Sequence, residues 1–129
     1  LTAEREVVFV EQYRQGSETV ELEIPGGMMD PGETDPVATA LRELREETGY
    51  TGTGARLIGE CFANPAIMNN RVYTILVENC ARTHEVEWDA GEDLITRLIP
   101  AADLPELVKS GAIKHSIILA ALQYFALED

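Results

Sequence analysis

With 129 residues, 45% of them hydrophobic, the chain is long enough for one domain around one core and too apolar for a disordered segment. Ten Lys and Arg against 23 Asp and Glu give a formal net charge of −13, which argues against non-specific binding to nucleic acid or an anionic membrane, since both need a basic face. No apolar run approaches the roughly 18 residues of a membrane span and no signal peptide is visible, so a cytoplasmic protein with two free thiols, Cys61 and Cys80, is expected. The acidity leaves room for a small phosphorylated substrate, because a bound metal reverses the local field.

Taken in order, Glu6 to Tyr13 is β-branched and apolar enough for a strand. Since strand-like sequence begins almost at Leu1, a segment is expected to precede it. Thr19 to Ile24 alternates polar and apolar residues and predicts a half-buried strand, stopped by Pro25-Gly26-Gly27. A helix follows, with Asp35 as its N-cap, Pro36 at its first position and Gly49 at its C-terminal cap. Val37, Leu41, Leu44 and Thr48 recur at helical spacing as its buried stripe. Ala55 to Phe62, Arg71 to Asn79 and Leu94 to Ile99 read as further strands, with an acidic loop from Thr83 to Asp93. Asp103 is placed to cap a short helix ending before Gly111, and His115 to Leu127 reads as a final helix with Ile118, Leu122 and Phe125 inward. The order of elements predicts an α/β domain, a mixed sheet with helices on both faces, over residues 1–129.

Glu43, Glu46 and Glu47 carry the chemistry. At i, i+3 and i+4 they project from one face of the predicted helix, where like charges repel by a few tenths of a kcal/mol per pair. A hard divalent cation that prefers oxygen ligands would repay that repulsion.

The run Gly27-Met28-Met29-Asp30-Pro31-Gly32-Glu33, followed by Arg42-Glu43-Leu44-Arg45-Glu46-Glu47-Thr48-Gly49-Tyr50, resembles the Nudix box. Every fixed position of that pattern is filled, but eight residues rather than seven separate Glu33 from Arg42. An insertion within the helix would turn everything beyond it by about 100°. Stripe and carboxylates agree from Val37 onward, so the extra residue is placed in the loop, at Thr34 or Asp35, and the reach of Glu33 is what it puts at stake.

The resemblance implies a Nudix fold with a loop–helix–loop catalytic motif. It also implies that Glu43, Glu46 and Glu47, with the Gly26 carbonyl, hold Mg²⁺ or Mn²⁺. Arg42 and Glu33 would pair to fix the motif's shape. A further carboxylate, catalytic and metal-binding, is expected from outside the box, with Glu92 first and Glu87 or Asp89 as alternatives; the general base stays open. The flanks Val10-Glu11-Gln12-Tyr13-Arg14 and Glu23-Ile24-Pro25-Gly26-Gly27, together with Pro65, are similar to the ADP-ribose pyrophosphatase branch. That likeness implies cleavage of ADP-ribose, or another nucleoside diphosphate sugar, to a nucleoside monophosphate and a sugar phosphate. Arg14 and Arg71 are candidate anchors for phosphate or ribose. A homodimer with exchanged N-terminal strands is expected on the same ground. The alternatives are a Nudix hydrolase of a nucleoside triphosphate or dinucleotide, and a Nudix module that binds a nucleotide without cleaving it.

Overall fold

A computed structural model describes residues 1–128. Three strands form one sheet in the order β2 (Thr19–Glu23), β1 (Glu6–Arg14), β5 (Ile95–Pro100), and β3 (Tyr50–Phe62) with β4 (Arg71–Arg82) forms a second. Both sheets are antiparallel, and the parallel pairing seen among the described residues is the bridge between Thr2 and Cys80. The helices are α1 (Pro36–Thr48), α2 (Leu104–Lys109) and α3 (Ser116–Ala126).

Successive strand residues face opposite ways, and β1 uses this to hold two cores. Val8 packs with Leu44, Val77 and Cys80, under α1. Its neighbour Phe9, fully buried, packs with Leu104, Ile113 and Ile118, under α2 and α3. Removing the Phe9 ring would cost about 3–5 kcal/mol, the usual range for a buried aromatic cut to alanine. Neither cysteine is bridged.

The ends of α1 are fixed locally. Asp35 is extended and its carboxylate accepts the Val37 N–H at 3.0 Å, with Pro36 directly after it. Gly49 adopts φ 77° and donates its N–H to the Arg45 carbonyl at 2.8 Å. A side chain there would be strained by that φ and would run into the His84 carbonyl oxygen.

Several boundaries differ from the sequence reading. β3 starts at Tyr50 rather than Ala55, because Thr51 and Thr53 pair with Ala81 and Glu78 across register shifts that absorb Gly52 and Gly54. β4 runs on to Arg82. Asp103 caps nothing: it lies in a 3₁₀ turn at φ −86°, ψ −11°, and its side chain makes no capping bond. His115 is not the first residue of α3 but its N-cap, with Nδ1 accepting the Ile117 N–H at 3.2 Å. On α3, Ile118 and Ala121 are buried, with Leu122 and Phe125 packed beside them.

Candidate active site

The loop before α1 folds back through Glu33. Its carboxylate accepts the Asp30 N–H, the Thr39 hydroxyl at 3.0 Å and Arg42 Nη2 at 3.1 Å. These bonds, the Asp30 one foremost, hold the Glu33 carboxyl below the usual range. The added loop residue therefore leaves Glu33 within reach of Arg42. Arg42 is the hub of this corner, with Asp30 at 3.5 Å, Glu43 at 3.2 Å and Glu46 at 3.1 Å besides Glu33. Its Nε is buried and has no partner among the described residues.

The three carboxylates that share one face by spacing are divided by what packs against them. Glu46 turns aside to Arg42 and lies 4.0 Å from Arg45. Glu43 and Glu47 instead line a cleft of about 890 Å³ between β1, the loop after β2, α1, the start of β4 and α3. That volume suits a ligand of nucleotide size. Gly26, Glu92, Arg14 and Arg71 line it as well, while Glu33, Arg42 and Glu46 do not.

Glu47 is the most unusual of these groups. Only 4% exposed, it accepts the Gly26 N–H at 2.9 Å. Burial pushes its carboxyl up to about 8, with Glu43 and Glu92 adding to the rise and the Gly26 N–H opposing it. Burial also raises Glu43, helped by Glu46, Glu92 and Asp89 and resisted by Arg42. Gly27 passes so close to the Glu43 carboxylate that a Cβ there would overlap it.

The cleft's chemistry fits a hard cation: its acids are all oxygen donors, and they repel one another in a half-buried setting where a divalent ion would offset the cost. Among the described residues no three of them already converge on one point, and the positive charge at Glu43 and Glu46 comes from Arg42. Glu43, Glu47 and Glu92 are the cleft acids that could hold a divalent cation.

The arginines are both engaged. Arg14 forms a two-pronged pair with Glu23, each contact 2.7 Å. Arg71 pairs with Glu60 and sits 5.1 Å above the Phe62 ring. Of the acidic loop, Glu92 reaches the cleft, whereas Glu87 pairs with Arg45 at 3.3 Å.

Sequence reasoning missed Gln12, Glu23 and His115 as cleft residues and Thr39 as the partner of Glu33. Thr39 stands four residues past the N-cap, on the helix side facing the loop, and that spacing was its one available signal. Among the described residues no helix is long and apolar enough to cross a membrane.

Comparison with known proteins adds four findings. The NUDIX domain family model matches residues 1–122. The chain is 32% identical to the ADP-ribose pyrophosphatase of Bacillus subtilis (strain 168) over 100% of its own length and 70% of that protein's. It is 31% identical to the methanol dehydrogenase activator of Bacillus methanolicus, again over 100% of this chain and 70% of the other. A crystal structure of an ADP compounds hydrolase superimposes with a TM-score of 0.86 at 22% identity, covering 97% of this chain and 66% of that one. That last likeness is one of fold.

Proposed function

The chain belongs to the Nudix family, and from that premise we propose that it is a metal-dependent pyrophosphohydrolase cleaving ADP-ribose or a related nucleoside diphosphate sugar. The observation that carries the reading is the cleft, which gathers Glu43, Glu47 and Glu92 and two arginines, Arg14 and Arg71. When bound there, Mg²⁺ or Mn²⁺ would supply the positive charge that neutralises a diphosphate and acidifies water.

The chain's own residues do the rest. Glu43, Glu47, Glu92 and the Gly26 carbonyl would hold the ion, with Glu46, now paired to Arg42, completing the acidic set. Arg42 and Glu33 brace the loop against α1, so the carboxylates meet the substrate already placed. Arg14 and Arg71 receive phosphate or the terminal ribose. One water is consumed and one P–O bond breaks, giving AMP and ribose 5-phosphate from ADP-ribose. A homodimer and a cytoplasmic setting complete the proposal.

The test is product analysis. With Mg²⁺ or Mn²⁺, ADP-ribose should yield AMP and ribose 5-phosphate in equal amounts, and EDTA should stop the reaction. ADP-ribose recovered intact under those conditions would refute the reading.

A second reading, a hydrolase of another ADP-containing compound, is favoured by one feature. All three methionines, Met28, Met29 and Met68, line the cleft, and such flexible side chains adapt to differing groups. Release of a second nucleotide from a dinucleotide, faster than turnover of ADP-ribose, would select it. The presence of Glu33, Glu43, Glu46 and Glu47 speaks against a module that binds without cleaving.

A further inference from the structure

The acidic loop is fastened to the very end of α1. The last carbonyls of a helix lack partners within it, and here the loop supplies them. Glu87 donates its N–H to the Glu46 carbonyl at 2.7 Å, and Trp88 donates its indole N–H to the Glu47 carbonyl at 3.0 Å. Arg45 adds a 3.3 Å ion pair to Glu87. Immediately after Trp88 the chain closes a tight turn: the Glu92 N–H reaches the Asp89 carbonyl at 3.1 Å, and the Glu92 carboxylate accepts the Asp89 N–H at 2.7 Å. Glu92 therefore hangs from an anchor one residue before its own turn, and that anchor is the backbone of Glu47. Trp88 itself, 40% exposed, lies outside the cleft lining.

We infer that Trp88 is a positioning residue: its indole N–H, bonded to the Glu47 carbonyl, sets where the Glu92 carboxylate sits relative to Glu43 and Glu47. This rests on reading the cleft as a metal-dependent site. Groups that hold a ligand carboxylate in place typically contribute 10- to 100-fold in metal affinity or activity. Phe keeps most of the aromatic surface but has no N–H.

The experiment compares Trp88→Phe, Glu92→Gln and the double variant. Mn²⁺ affinity is measured without substrate by the electron paramagnetic resonance of free Mn²⁺, and kcat and KM with ADP-ribose. Trp88→Phe should weaken Mn²⁺ binding roughly 10-fold and lower kcat, with KM within about twofold of wild type. Added to Glu92→Gln, it should change Mn²⁺ affinity no further, since the two changes act through one carboxylate. Unaltered Mn²⁺ affinity in Trp88→Phe, beside a weakened Glu92→Gln, overturns the positioning role alone. So does an equal further loss in the double variant. A Glu92→Gln protein that binds Mn²⁺ like wild type overturns the site reading, and the positioning role with it. The unmodified protein gives an independent readout, because Trp88 is the sole tryptophan. Its fluorescence should be quenched saturably by Mn²⁺, and emission unmoved by saturating Mn²⁺ counts against the inference.

Discussion

Replacing Glu47 with Gln should stabilise the metal-free protein at pH 9 and far less at pH 5. The folded carboxyl titrates near 8 against an ordinary value of 4.5, chiefly because it is buried. Below about 4.5 it is protonated whether the chain is folded or not. As pH rises from there, the unfolded chain gives up the proton while the folded chain keeps it, so stability declines until the folded group also ionises near 8. At about 1.4 kcal/mol per pH unit, the ceiling at pH 9 is roughly 5 kcal/mol. Of that ceiling, a gain of at least about 2 kcal/mol is expected. In a domain of this size that is a rise in Tm of roughly 6–10 °C. Gln keeps an oxygen for the Gly26 N–H, so the change removes the charge and little else. Thermal melts of both proteins in EDTA at pH 5, 7 and 9 measure the difference. A Glu47→Gln protein melting at or below wild type at pH 9 would refute the account of Glu47 as a buried, costly charge.

Gly27→Ala should displace the Glu43 carboxylate, which a new Cβ would overlap. Because the displaced group is the end of a flexible chain, Tm should stay within about 2 °C while turnover falls at least tenfold, a rise of at least about 1.4 kcal/mol in the barrier. Asp35→Ala removes the acceptor of the Val37 N–H, and a denaturant titration should show about 1 kcal/mol of lost stability. Gly49→Ala meets both a left-handed backbone and the His84 carbonyl. It should cost more than the Asp35 change in the same titration, and an unchanged midpoint would contradict the cap geometry.

What the sequence determined by itself was local. Asp35, Pro36 and Gly49 set the limits of α1 because capping bonds span only a few residues, and the structure shows the same limits. The box residues announced the family because their spacing is counted along the chain, and Glu33 meets Arg42 since both belong to one short loop and helix. Boundaries that depend on a distant partner were less legible. β3 gains five residues at its start because β4 offers them a ladder, and no local propensity of Gly52 or Gly54 foretells that.

The tertiary structure alone decided where each carboxylate stands and what it pairs with. Helical spacing gives the angle at which Glu43, Glu46 and Glu47 leave the axis, but not what stands opposite. Gly26, 21 residues before Glu47, donates its N–H to that carboxylate, while Arg42 draws Glu46 aside. The Glu47 carbonyl is taken by Trp88, 41 residues further on, and with it comes Glu92. Three equal glutamates in the sequence thus become a buried acid, a cleft acid and a braced one, because burial and pairing are properties of packed elements rather than of spacing.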